Sequence, residues 1–200
     1  LNFFILSTSS ASLSWYLISK RVFDFVLSLL LLVFLIVPMG IVALVLFFDL
    51  RSSPFFLQER IGQYGKKFIL LKFRTIHPRT GTISKLGRFF RRSKLDELPQ
   101  LIHILLGAMS FVGPRPDVPG YYDTLTGTDR VVLELKPGLT SEASLLFFNE
   151  EALLAQQVDP LVYNDTVLFP QKVAMNLRYY YERTFLLDLR LLLRTIFVLF

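Results

Sequence analysis

The strongest constraint on this chain is one uncharged run, Phe25 to Phe48, which reads FVLSLLLLVFLIVPMGIVALVLFF. About 20 apolar residues cross a bilayer core as a helix. A soluble domain seldom buries a helix of that length, so the run reads as a membrane segment. It is too long for the apolar core of a cleaved signal peptide, and no small-residue cleavage site follows. No second stretch is comparable, which excludes a polytopic transporter. Hydrophobic types make up 52% of the 200 residues, enough apolar surface to exclude disorder.

Both flanks of the run are basic: Lys20 and Arg21 before it, Arg51, Arg60, Lys66 and Lys67 after it. A spanning helix normally leaves one flank poor in Lys and Arg. Pro38 and Gly40 lie near the middle. Two readings follow. One is a re-entrant helix that breaks at Pro38 and returns to the leaflet it entered. The other is a spanning helix with a tolerated proline kink. Asp24 either pairs with Lys20 and Arg21 or sits as an N-terminal helix charge. Residues 1–19 are Ser-rich, uncharged and of unclear role, 20–50 are the membrane element, and 51–200 form a compact basic region. The net charge of +6 calls for an anionic partner, a membrane surface, phosphates, or both. The absence of Cys and the presence of only His77 and His103 exclude disulfides, thiolate metal sites, cysteine nucleophiles and multi-histidine centres.

In the basic region, Phe68 to Arg74 reads as a strand with Phe68, Leu70, Lys72 and Arg74 on one face. Ile83 to Arg92 is a basic amphipathic stretch, suited to an anionic membrane face or to the solvated side of a core helix. Leu98, Leu101, Ile102, Leu105 and Leu106 carry a helical period over 96–106. Pro99 is tolerated only in a first turn, so Asp96 and Glu97 fall at the helix start, and Gly107 closes it. Gly113-Pro114-Arg115-Pro116 is a rigid turn, and a Pro-Gly break opens 137–150. A final helix is expected from about Arg178 to Phe200, with Arg183, Arg190 and Arg194 as an interfacial basic stripe. The fold class is α+β, mostly helical.

Asp96 and Glu97 are candidate chemistry. An ionised Asp can attack phosphorus, and an adjacent Glu can hold a hard cation. A plain helix-start carboxylate pair reads the same way. Arg88, Arg91, Arg92 and Lys94 crowd them in sequence. Arg115, restricted by a proline on each side, presents its fork with little freedom left to lose, which suits phosphate as well as it suits an ordinary turn. Lys72 and Arg74 are either phosphate ligands or a solvated face. His103 reads as a structural residue on its helix. No P-loop, G-x-G-x-x-G or G-x-S-x-G motif occurs. Nucleic-acid binding fits the charge but not the membrane segment.

Taken together, several blocks resemble the small monotopic phosphoglycosyl transferases, a bacterial sugar transferase family. They are Lys20-Arg21-x-x-Asp24, Ser53-Pro54-x-Phe56-x-Gln58-Glu59-Arg60-x-Gly62-x-x-Gly65-Lys66 and Lys72-Phe73-Arg74-Thr75. Next come Leu95-Asp96-Glu97-Leu98-Pro99-Gln100-Leu101, Met109-Ser110-x-Val112-Gly113-Pro114-Arg115-Pro116, Lys136-Pro137-Gly138-Leu139-Thr140 and Asp188-x-Arg190-x-Leu192. The resemblance implies transfer of a sugar 1-phosphate from a UDP-sugar to polyprenyl (undecaprenyl) phosphate. It passes through a covalent phosphosugar on Asp96, with Glu97 assisting and Mg2+ held at Asp96 and Glu97. Lys72, Arg91 and Arg115 match family positions tied to phosphate-bearing substrates, and Arg74 and Arg88 complete the expected substrate-binding set. The resemblance also implies a re-entrant helix broken at Pro38 and a catalytic domain on the cytoplasmic face of the bacterial inner membrane. Membrane lipids and downstream glycosyltransferases are the implied partners, and glycan initiation the implied role. A catalytically silent membrane scaffold of the same fold, and a bitopic protein with a peripheral domain, are the competing readings. The chain departs from the family pattern at Val37, Ala108, Asn176 and Ser141 to Ser144, and in a shortened loop from Ile76 to Ile83.

Overall fold

The computed structural model of the chain describes residues 10–199. The expected segment 1–19 therefore falls partly outside the described residues. Its remainder is the start of a helix, α1, which covers Ser10–Leu50. The architecture is α+β and mostly helical, with two small two-stranded sheets.

Helix α1 is long and apolar enough to cross a membrane. It runs through Pro38 as one helix, and the expected helix–break–helix is not displayed. A proline removes one intrahelical hydrogen bond, and the flanking turns here carry on past it. One stripe of α1 faces the body. Phe23, Leu27, Leu31, Leu32 and Leu35 pack on the main core, and Met39, Val42 and Leu46 on a second cluster with Phe73 and Phe90. The opposite stripe, including Val33, Phe34, Val37, Ile41 and Leu44, is left exposed.

Strands β1 (Phe55–Ile61) and β2 (Lys67–Phe73) form an antiparallel hairpin that pairs Phe56 with Lys72 and Arg60 with Phe68. Opposed residues share a face, so Arg60 and Lys72 point to the same side. Helix α2 (Lys85–Arg92) is capped by Ser84, whose hydroxyl accepts from Gly87 N and donates to Asp49 near the end of α1.

The helix expected over 96–106 is two elements. A 3-10 turn covers Leu95–Gln100 and α3 covers Leu101–Leu106. Within α3 the buried residues are Leu101 and Ile104, while Ile102 and Leu106 are exposed, so the expected stripe is displaced. His103 is structural as expected. Its Nε2 accepts the Leu71 N–H at 3.0 Å, and burial lowers its pKa, which suits a neutral acceptor. Gly107 closes α3 in the left-handed region at φ 86°, and the Arg21 guanidinium packs 3.1 Å from where a Cβ would stand. Arg21 donates to the carbonyls of Ile104 and Leu105, both at 2.8 Å. It thereby satisfies the free carbonyl end of α3 with a cation.

Strand β3 (Ser110–Val112) pairs in parallel with β4 (Gly138–Thr140). Gly113 and Gly138 approach backbone to backbone with no room for a Cβ, and Gly138 N donates to Pro114 O at 2.8 Å. The Gly113–Pro116 turn is thus pinned at the sheet edge. Beyond β4 come three short helices, α4 (Glu142–Leu146), α5 (Glu150–Ala155) and α6 (Pro160–Tyr163). The expected final helix is again two, α7 (Phe169–Glu182) and α8 (Phe185–Leu199). Arg183 leaves helical geometry between them, with its guanidinium 4.1 Å over the Tyr180 ring. It therefore drops out of the expected stripe, and only Arg190 and Arg194 remain exposed on α8.

Candidate active site

Asp96 and Glu97 lie in the first turn of the 3-10 segment, not at the start of an α-helix. Lys94 enters that segment in the left-handed region at φ 55°. Pro99, which has no N–H to lose, fits this tight turn. The β1–β2 hairpin brings Lys72 from one side, and the Gly113–Pro116 turn brings Arg115 from the other.

Glu97 is the counter-ion of this cluster. It is 6% exposed. Arg115 grips both of its oxygens, with Nη2 on Oε1 and Nη1 3.4 Å from Oε2. Lys72 Nζ stands 4.0 Å from Oε1. Burial pushes the Glu97 pKa up, but the Arg115 and Lys72 charges outweigh it and hold the carboxyl at about 2. Glu97 in turn raises the Arg115 pKa, so this pair is permanently ionised. Burial brings Lys72 down to about 8, and Glu97 opposes the shift.

Asp96 is treated differently. Its Oδ1 is buried and has no hydrogen-bond partner. Burial and the neighbouring Glu97 charge raise its pKa to about 6, against the pull of Lys72, Lys94 and Arg91. The crowd of cations in the sequence is thus outweighed by burial. Asp96 is still mostly ionised at pH 7, and more basic than an ordinary carboxylate. A basic, ionised and unpaired oxygen is what a nucleophile toward phosphorus requires.

The expected substrate-binding set divides. Lys72 and Arg115 meet at Glu97, and the Arg91 charge acts on Asp96 while its guanidinium pairs with Glu151. Arg88 is exposed on α2 and makes no ion pair among the described residues. Arg74 follows the last residue of β2, and its guanidinium is engaged at the start of β1 instead of at the dyad. It donates to the carbonyls of Ser53 and Phe55 and lies over the Phe56 ring. Conversely, Arg60 was not placed in the site, yet its charge acts on Lys72 and Glu97. It stands 3.6 Å from Asp117, and its buried Nε has no partner. The alternation of the hairpin carried that signal once the register was known, because Arg60 shares the Lys72 face.

Among the described residues no three His, Cys, Asp or Glu side chains converge as a metal site. A hard cation here would draw on Asp96, whose oxygen is free of donors, and on Glu97 beside it, with substrate oxygens completing the shell.

The family profile described as bacterial sugar transferase matches residues 15–200. An uncharacterised sugar transferase of Bacillus subtilis is 36% identical over 139 residues, covering 64% of this chain and 69% of that protein. A UDP-glucose:undecaprenyl-phosphate glucose-1-phosphate transferase of Caulobacter vibrioides is 31% identical over 193 residues, or 88% of this chain and 68% of that protein. The Escherichia coli protein of the same name is 29% identical over 196 residues. The chain spans only 39% of that longer relative. By the extent of the profile match, the chain belongs to the bacterial sugar transferase family.

Proposed function

We propose that this chain transfers a sugar 1-phosphate from a UDP-sugar to a polyprenyl phosphate and so initiates a membrane glycan. The observation that carries the reading is the asymmetry of the dyad: Asp96 has a free buried oxygen, while Glu97 is locked to two cations. The names of the relatives, which specify UDP-glucose and undecaprenyl phosphate, support the substrate classes.

In the first step an Asp96 oxygen attacks the phosphorus that carries the sugar. The bond from that phosphorus to the UMP oxygen breaks, UMP leaves, and a sugar-phosphoryl aspartate remains. In the second step a phosphate oxygen of the polyprenyl phosphate attacks the same phosphorus, and the Asp96 carboxylate leaves. Each step moves one phosphoryl bond, so the site must chiefly position its substrates and neutralise charge. Arg115 and Lys72 are pre-oriented by Glu97 to do so without rearrangement. Mg2+ suits the oxygen donors of Asp96 and Glu97 and, when bound, supplies further neutralisation of the diphosphate.

The contacts of α1 support a monotopic arrangement, and a UDP-sugar donor is the reason to propose the cytoplasmic face of the inner membrane for it. Both flanks of the apolar run are fixed to one body. Lys20 pairs with Asp188 of α8 at 2.6 Å, and Asp49 accepts from Ser84 at 2.6 Å. A bitopic chain would send those flanks to opposite sides. A re-entrant path flexed at Pro38, or a helix sunk sideways with its exposed stripe in lipid, meets the constraint.

The test is transfer of labelled phosphosugar from a panel of UDP-sugars to undecaprenyl phosphate, with Mg2+ or EDTA, for wild type and Asp96→Asn. Mg2+-dependent lipid product and UMP release, both reduced at least about a thousandfold by the substitution, are the expected result. A fully active Asp96→Asn would overturn the covalent-aspartate mechanism.

A further inference from the structure

Arg91 would be expected to keep its guanidinium open for a substrate phosphate. Instead it is paired with Glu151 of α5, 60 residues away in sequence. The same short segment reaches a second cation beside the nucleophile, because the Phe148 ring centroid lies 5.2 Å from Lys94 Nζ. Lys94 N donates to Arg91 O at 3.2 Å and Glu97 N to Lys94 O at 3.1 Å, so the backbone ties both residues to the dyad's turn, and both charges act on Asp96. The segment Phe148 to Glu151 therefore covers the cations on one side of the dyad.

Its two carboxylates are held very differently. Glu150 pairs with Lys172 of α7 at 2.6 Å, with the two side chains 28% and 15% exposed. That contact fixes the segment to the body. Glu151 has a side chain 78% exposed, against 28% for Arg91. A pair with one partner in water contributes little to stability and exchanges readily. A diphosphate offers the same guanidinium more charge and more acceptor oxygens, and so outcompetes a single carboxylate.

We infer that Glu151 is a positioning residue that sets donor affinity: its carboxylate holds Arg91 as a placeholder, and the donor's diphosphate displaces it on binding. Glu150 keeps the segment in place while the exchange occurs. The inference rests on the phosphoryl-transfer reading of Asp96.

The test uses the full chain in lipid nanodiscs and compares wild type, Glu151→Gln and Glu142→Gln. Glu142, on neighbouring α4, pairs with Arg178, so its substitution removes the same charge without freeing Arg91. Two quantities are measured: binding of UDP, which carries the donor's diphosphate, and KM for the UDP-sugar. Glu151→Gln is expected to tighten UDP binding and lower KM by about two- to fivefold, with kcat moving less than KM, while Glu142→Gln stays at the wild-type values. Unchanged affinity in Glu151→Gln overturns the placeholder. An equal gain in both variants also overturns it and assigns the effect to the general field. If no protein turns over any donor, the transferase reading fails by itself and UDP binding alone decides: tightening confined to Glu151→Gln sustains the placeholder, and its absence ends it.

Discussion

Two buried polar clusters hold this protein together, and they are built on opposite principles. At the root of α1, Asp188 is 4% exposed and takes three donors: Lys20 at 2.6 Å, Tyr179 at 2.6 Å and Tyr16 at 3.0 Å. Nearby, Asp24 accepts the Phe111 N–H at 3.1 Å, and Arg21 caps α3. Around the dyad, by contrast, Asp96 Oδ1 and Arg60 Nε are buried without partners, and Lys72 is held against repulsion from Arg60 and Arg115. The first cluster satisfies the Asp188 carboxylate with protein donors and serves as an anchor, although Ser110 Oγ and Arg183 Nε beside it have no partner. The second leaves a carboxylate oxygen and a guanidinium N–H over at the place where substrate phosphate is proposed to bind.

The comparison breaks most visibly by substitution at the two aspartates. Asp188→Asn leaves Lys20 without its charge partner in a largely buried setting. Loss of a buried pair's partner costs about 3 kcal/mol or more. Asp96→Asn should act in the opposite direction. The folded-state pKa of Asp96 lies above its ordinary value, so its charge opposes folding at neutral pH, and that penalty disappears as pH falls below the unfolded value. Replacing the charge should stabilise by about 1–2 kcal/mol and raise Tm by a few degrees. Thermal unfolding of both variants in one detergent checks the pair. A fall in Tm for Asp96→Asn would show the dyad to be structural and erase the distinction between the clusters.

The same contrast explains what could be read from the chain. The apolar run, the hairpin strand and the dyad each rest on local pattern: length, alternation, and a Pro that must sit in a first turn. Lys72, Arg115 and Glu97 could be named because their residue types suit phosphate chemistry. Their convergence depends on a β3–β4 contact between Gly113 and Gly138 that no local window contains. Alternation gives Arg74 the face it shares with Lys72 and Phe56, but not the Ser53 and Phe55 carbonyls that hold its guanidinium there. Arg183 falls outside the basic stripe because the apolar period continues across the break between α7 and α8, which Tyr179 bridges by donating to Asp188. The raised pKa of Asp96 was equally invisible, since sequence displays neighbouring charge but not burial.

A pH profile sharpens the comparison within the site. In the proposed mechanism Asp96 attacks as the carboxylate, so kcat/KM should rise with pH up to about 6, close to tenfold per unit on the acid limb. Lys72 must be charged to hold phosphate, so the rate should fall above about 8. Lys72→Arg, charged at every accessible pH, should remove the alkaline limb and leave the acid limb in place. Persistence of the alkaline limb in that variant would assign it to another group.

The smallest expected effect separates residues that share a sequence motif but not a site. Lys72 and Arg74 are two positions apart, and a continued strand would aim both at the dyad. The strand ends at Phe73, and Arg74 instead ties its guanidinium to the Ser53 and Phe55 carbonyls, bracing the entry to β1. Arg74→Gln should therefore change kcat and donor KM by no more than about threefold, with a modest loss of Tm from the missing hydrogen bonds. Lys72→Gln, measured beside it, should lower kcat/KM by at least about a hundredfold, because it removes a charge held 4.0 Å from Glu97. Comparable losses in the two variants would mean that Arg74 swings into the site when substrate binds. The phosphate-binding face would then extend along the whole hairpin edge rather than stopping where β2 stops.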